Sequence, residues 1–264
     1  MKGGDNLDAT RAGGRAWSEV DLAYGQLPAF RRKVAKALVL IAGAAQPLGV
    51  AFSGGKDSAV TLHLVHTVWP SAIAGFFDSG AELQDTRDLV ANTPNVQVIP
   101  AGGGGLLELC RANGYWGHEP ESPDPQVLNF GNELIFNPAR EFVRHNNLAT
   151  VALGLRAQES RGRRMNAAIS QCYYHSQYDN VMHLCPLQWW TTDDIWAYIA
   201  TYAVPYNAAY DKMTALGLGR EEQRISTLLG TDAASFGRFV YLKRLDPQLW
   251  NRLVADFPLL SKYT

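Results

Sequence analysis

The sequence predicts an α/β fold: a doubly wound, mostly parallel sheet with helices on both faces, plus a helical C-terminal extension. Three observations carry that expectation. Short apolar runs of strand length alternate with helix-period segments from residue 28 onward. The first such run, LGVAFSGG, ends in glycines directly ahead of an apolar-striped segment, SAVTLHLVHTVW. A chain of 264 residues that is 47% hydrophobic and 19% charged has the composition of a packed globule. That length needs no disulfide staples to bury a core.

Residues 1–27, rich in Gly, Ala and charge, read as a flexible N-terminal lead-in. From Pro28 the pattern changes, with Phe30, Val34, Leu38 and Ile41 at helical spacing. LGVAFSGG is the first strand with its glycine turn, and SAVTLHLVHTVW the helix that follows. AIAGFFD is a second strand, TRDLVANT a helix and NVQVIPA a third strand. Residues 102–132 begin with four glycines and carry three prolines in HEPESPDPQ, which predicts a long loop or lid. Asn137-Pro138 caps a helix, AREFVRHNN. ATVALGL and NVMHLCPL supply a fourth and a fifth strand. Thr191 to Asp194 opens the helix IWAYIATYA with a hydroxyl cap and two acids, and Pro205 stops it. The expected organisation is a flexible lead-in (1–27), the main α/β domain (28–214) and a helical extension (215–264).

Charge narrows the function classes. With 24 basic and 25 acidic side chains the net charge is -1, which argues against coating nucleic acid by bulk charge. Nucleic-acid contact is confined to a local arginine patch. The longest apolar run, Ala37 to Ala45, is too short to span a bilayer, and no apolar signal core opens the chain. A cytoplasmic location without membrane contact is the expectation. Cys110, Cys172 and Cys185 have no CxxC spacing and read as reduced thiols, or, for the last two, as a redox pair. His63 and His66 lack further ligands for a metal and read as surface or interface residues.

The sharpest signal is Ser53-Gly54-Gly55-Lys56-Asp57-Ser58, set between the first strand and its helix. Two glycines let the backbone turn and approach a ligand, and the amides there with the helix N-terminus make an anion cradle. Lys56 adds a charge that can reach phosphate oxygens. This is not a Walker A loop, since Val50 stands where that motif has its first glycine and Asp57 where it has Ser or Thr.

SGGKDS closely resembles the pyrophosphate-binding loop of the ATP pyrophosphatases, or adenine nucleotide alpha hydrolases. Phe77-Asp78-Ser79-Gly80-Ala81-Glu82 resembles that superfamily's acidic segment after its second strand. Gly154-Leu155-Arg156-Ala157-Gln158-Glu159-Ser160-Arg161 resembles a segment of the phosphoadenosine phosphosulfate (PAPS) reductase branch. So do Cys185-Pro186-Leu187, Trp190, Asp194-Ile195-Trp196, Val204-Pro205-Tyr206-Asn207 and Tyr210-Asp211-Lys212, in the same order. The resemblance runs from about Leu48 to Gly219. It departs in the thiols: no cysteine follows Cys185, and NELIFNPAREF stands where cluster-bearing relatives carry paired cysteines. No iron–sulfur cluster is therefore expected.

What the resemblance implies is an ATP pyrophosphatase that cleaves ATP between the α and β phosphates and adenylylates a substrate, in sulfur transfer or sulfur assimilation. Ala51, Phe52, Ser53, Gly54, Gly55, Lys56, Asp57, Ser58, Asp78, Ser79, Gly80, Gly154 and Arg156 would bind the nucleotide, with Lys56, Asp57 and Arg156 catalytic. Mg²⁺ would ride on the phosphates, with Asp57 as a candidate ligand. Glu159, Ser160, Arg161, Arg163 and Arg164 would hold an anionic substrate; the competing reading of those arginines is a solvated basic face paired to acids at i,i+4. A sulfur-donor or complex partner and a homo-oligomer are expected. Two alternatives stay open: a sulfonucleotide-binding, reductase-like enzyme without the C-terminal cysteine, and the ATP-binding subunit of a DNA sulfur-modification complex. The aromatic stretch holding Trp189, Trp190, Trp196, Tyr198, Tyr202 and Tyr206 reads mainly as core.

Overall fold

The computed structural model describes residues 18–115, 130–225 and 238–263. Six strands form one sheet: β1 (Leu48–Ala51), β2 (Ile73–Asp78), β3 (Val96–Pro100), β4 (Thr150–Leu153), β5 (Tyr173–Ser176) and β6 (Val181–Leu184). Their spatial order is β3-β2-β1-β4-β6-β5, parallel throughout except for the β5–β6 pair. The chain steps outward from β1 to β3 and then crosses back to place β4 on β1's other side. That reversal is a topological switch point, where open sheets of this kind bind ligands at their carboxyl edge.

Strand residues alternate between two cores, as a sheet covered on both faces requires. Leu48, Val50, Ala74, Phe76 and Ala152 face the larger core, built with α2 (Pro28–Ala42), α3 (Lys56–Val68) and α8 (Thr192–Tyr202). Ala51, Ile73, Phe77, Val151 and Leu153 face the smaller one with Phe142 of α6 (Asn137–His145). Phe142 packs so closely that a Cβ at Gly49 or Gly75 would lie 3.1 or 2.9 Å from its ring, which explains a glycine in each neighbouring strand. On α2 the buried residues are Phe30, Val34, Ala37 and Ile41, one stripe at helical spacing.

Four sequence expectations need correction. Within the expected lead-in, residues 19–25 form α1 (Glu19–Gly25). It docks on α8 so tightly that a Cβ at Gly25 would fall 1.9 Å from Thr201 Oγ1. Within the expected lid, Leu106, Leu109 and Cys110 bury one face of a helix, α5 (Leu106–Ala112), while 116–129 lie outside the described residues. Asn137 does not cap its helix, because a π-helical turn (Asn132–Phe136) runs straight into α6. Last, β5 is a strand the sequence did not announce; it is polar, sits at the sheet edge and turns back through Asn180, whose φ is +58°.

Between them lie α4 (Gln84–Ala91), α7 (Arg161–Ile169) and α9 (Ala209–Ala215), followed at the C-terminus by α10 (Arg238–Leu245) and α11 (Pro247–Asp256). Leu242, Leu245, Leu249, Trp250, Leu253 and Phe257 join the larger core. Asp246 caps α11 through the Leu249 amide (2.9 Å) and accepts from the Gln84 amide at the start of α4 (2.8 Å). Among the described residues no helix is long and apolar enough to cross a membrane.

Candidate functional site

The glycine loop leaves β1 with Phe52 still in the ladder, its N–H donating to Gly75 O (2.9 Å) and its ring buried. The chain then turns through Gly54, whose φ of +71° and whose nearness to Thr86 (2.9 Å from a built Cβ) both select glycine. Ser58 fastens the loop: its hydroxyl accepts from Ser53 N (3.2 Å) and from Ser53 Oγ (3.2 Å) and donates to Gly55 O (2.9 Å). The backbone amides of Gly54, Gly55, Asp57 and Ser58 make no hydrogen bond among the described residues, and those of Asp57 and Ser58 belong to the open first turn of α3. They form an anion cradle at a helix's positive end.

Residues distant in sequence brace this loop. Lys56 N–H donates to Tyr210 Oη (3.1 Å), and Asn207 Nδ2 donates to Gly54 O (3.4 Å) and Thr86 Oγ1 (2.8 Å). Burial pushes the Tyr210 phenol far above its ordinary value, so the hydroxyl stays neutral. Lys56 is itself buried, with Nζ 3.1 Å from Asp57 Oδ2 and 5.5 Å from the Tyr210 ring centroid.

The segment after β4 meets the loop through Asp57. Arg156, 2% exposed, places Nε 2.5 Å from Asp57 Oδ1, while Nη1 donates to Gln158 Oε1 (3.0 Å) and Trp190 O (3.5 Å). Lys56, Asp57 and Arg156 thus form one cation–anion–cation chain across the switch point. Gly154 makes the approach feasible, since a Cβ there would lie 2.8 Å from Asp57 C and 2.9 Å from Ser58 N, both backbone atoms. Glu159 and Ser160 are engaged within their own segment. Glu159 accepts from the Arg156 amide (3.1 Å) and pairs with Arg163, and Ser160 Oγ accepts from the Arg163 amide (3.1 Å). Arg161 and Arg164 are exposed and in no ion pair among the described residues.

After β2, Asp78 Oδ1 accepts from Gly80 N–H (2.8 Å) and Oδ2 lies 3.6 Å from Arg87. Ser79 donates to Glu82 Oε1 from Oγ (2.7 Å) and N (3.4 Å); burial pushes the Glu82 carboxyl up, and these bonds oppose the push. Ala51, half-buried at the end of β1, completes the residues singled out from sequence. Asn207, Tyr210 and Gln158 enter the sequence analysis only as parts of the resemblance, with no site role, and Thr86 only as the first residue of an expected helix. For Asn207 and Tyr210 the signal was present in the PYNAAYD segment, where a buried amide and a buried phenol each need a polar partner.

A family model described as "Phosphoadenosine phosphosulfate reductase domain" matches residues 134–228. An uncharacterized protein of Methanocaldococcus jannaschii is 28% identical over 212 residues, 78% of this chain and 40% of that one. An adenosine 5'-phosphosulfate reductase of Bacillus cereus is 27% identical over 165 residues, 61% of this chain and 66% of that one. The chain thus spans less than two thirds of either relative. Among solved structures, PAPS reductase of Candida auris matches in fold with a TM-score of 0.50 at 18% identity, covering 78% of this chain and 95% of that one. The matched segment carries Arg156, Asn207 and Tyr210, and in it the chain is similar to the PAPS reductase family, whose fold it shares with the Candida auris enzyme.

Proposed function

We propose that the chain binds an adenine nucleotide across the switch point and cleaves ATP between its α and β phosphates, transferring the adenylyl group to a substrate. The observation that carries this reading is the braced glycine loop. The amides of Gly54, Gly55, Asp57 and Ser58 are unpartnered among the described residues, a buried lysine lies beside them, and a buried arginine closes the opposite side. Such an arrangement suits the departing pyrophosphate, whose charge grows as the bond to the α-phosphorus breaks. Lys56 would exchange its contact with Asp57 for a phosphate oxygen, and Arg156 would keep Asp57 in place as it did so. Ser58 would hold the loop's shape rather than touch the ligand, since its hydroxyl is already bonded on both sides.

Both oxygens of Asp57 face cations, so Asp57 does not fit as a magnesium ligand. Mg²⁺ would be held through the nucleotide's phosphates, where it would neutralise charge. Arg161 and Arg164, exposed beyond the loop, would meet the acceptor or a partner that delivers sulfur. A sulfonucleotide ligand is the second reading, supported by relatives named adenosine 5'-phosphosulfate reductase. Thiol-based reduction fits this chain less well, since burial holds the Cys110 and Cys185 thiols up at about 12.

Calorimetric titration with ATP and Mg²⁺, and in parallel with adenosine 5'-phosphosulfate, separates the two. The expectation is that ATP binds and that Lys56→Ala raises its Kd by about tenfold or more while the variant keeps its circular dichroism. Turnover should release pyrophosphate; ADP and orthophosphate as first products would refute the reading.

A further inference from the structure

The cysteines take no part in that reading, yet the sheet brings two of them together. In the β5–β6 ladder Tyr173 stands opposite Leu184 and Ser176 opposite Val181. One step further in the same register sets Cys172 opposite Cys185, and the ladder does continue there, with Cys185 N–H donating to Cys172 O (2.7 Å). Directly opposed antiparallel residues project to one face with Cα atoms about 4.5–5.5 Å apart, inside the range a disulfide spans. Tyr174, two residues along β5 from Cys172, projects to that same face.

The two thiols differ in access. Cys185 is 4% exposed, whereas Cys172 is half-buried and lines an open groove of about 360 Å³. Lys36, Gln188 and Trp189 share that groove. Gln188 is nine-tenths buried and its Oε1 has no partner among the described residues, while its Nε2 donates to Ala167 O and Ser170 O (3.1 Å each). The Lys36 ammonium partly opposes the upward push of burial on the Cys172 thiol. It also suits a ligand that carries carboxylates.

We propose that Cys172 and Cys185 form a dithiol–disulfide couple, oxidised from this groove by a small anionic peptide disulfide such as oxidised glutathione. The Cys172 thiolate attacks one sulfur, breaks the reagent's S–S bond and expels one glutathione thiolate. Cys185 then attacks Cys172 Sγ, forming the Cys172–Cys185 bond and expelling the second. Two electrons and two protons pass from the pair to the reagent, which leaves as two thiols. The low acidity of Cys185 is offset by its fixed position beside the mixed disulfide. Oxidation would staple the exit of α7 to residues 185–188, whose Gln188 O accepts from the Ala157 amide (2.8 Å).

The test uses the full chain, incubated with oxidised glutathione and analysed by intact mass, peptide mapping and thermal unfolding. The expected product is lighter by two hydrogens, joins the Cys172 and Cys185 peptides, leaves Cys110 free and melts roughly 4–10 °C higher. In Cys185→Ser the glutathione should stay on Cys172 as a stable adduct. A wild-type chain that remains reduced, accumulates only glutathione adducts or links Cys110 overturns the proposal. None of these outcomes depends on nucleotide binding.

Discussion

The glycine loop after β1 is held from outside, whereas residues 159–164 after β4 are held largely by one another. Tyr210 and Asn207, from one distant segment, and Arg156, from another, each bond the loop or the first turn of α3. In the second segment the root, Arg156, is buried, but Glu159, Ser160 and Arg163 bond one another, and Arg161 and Arg164 extend into solvent. The first arrangement suits a fixed cradle whose geometry is set before a ligand arrives. The second suits a solvent-facing arm, Glu159 to Arg164, strung between Arg156 and an α7 exit that Gln188 holds, and able to adjust to whatever it meets.

The largest effect that could break this comparison lies where the two segments meet. Arg156→Ala leaves Asp57 facing Lys56 alone in a mostly buried position, and removing one partner of such a pair costs about 3–5 kcal/mol. Urea unfolding should register that loss, and the nucleotide affinity should fall with it. A double-mutant cycle with Asp57→Asn should return a coupling of about 1 kcal/mol or more. If the two changes simply add, the segments are not joined through this pair and the comparison fails.

A smaller effect sharpens the idea that the loop is braced from afar. Tyr210→Phe keeps the ring beside Lys56 Nζ and removes only the hydroxyl that accepts the Lys56 amide. The orphaned buried N–H should cost about 1–3 kcal/mol. Hydrogen exchange at the Lys56 amide should accelerate, while amides in β1 stay protected. Equal protection in both proteins would show that the loop holds its shape without Tyr210.

How far the sequence foretold these two regions follows from the range of the forces involved. The loop's own glycines and the helix after it were legible, because φ at Gly54 and the first turn of α3 are local properties. Gly154 was legible as part of a pattern, but its cause, the backbone of Asp57 and Ser58 lying against it, is a contact across the sheet. The pairing of Arg156 with Asp57 was hidden for the same reason: both were singled out as ligand-binding residues, and nothing local says that they bind each other. The docking of α1 was masked by its setting, since the charged, glycine-rich lead-in hid a helix whose Tyr24 donates to Asp194 (3.2 Å). Strand β5 was missed because an edge strand can stay polar and still pair.

The smallest expected effect on stability belongs to the outer end of the arm, and it separates the two readings of the arginines. Arg161 and Arg164 are exposed and in no ion pair among the described residues. Replacing both with alanine should change unfolding free energy by no more than about 0.5 kcal/mol. ATP binding should be unaffected, since neither residue reaches the glycine loop's bonded network. If the arm holds an anionic acceptor, affinity for a probe such as a single-stranded DNA oligonucleotide should drop. The slope of log affinity against log salt should also shrink by about 1.4, as two lost phosphate contacts on a single strand require. An unchanged slope would make these side chains a solvated face. A loss of ATP binding would instead place the arm inside the cradle, and the division between a fixed loop and an adjustable arm would have to be redrawn.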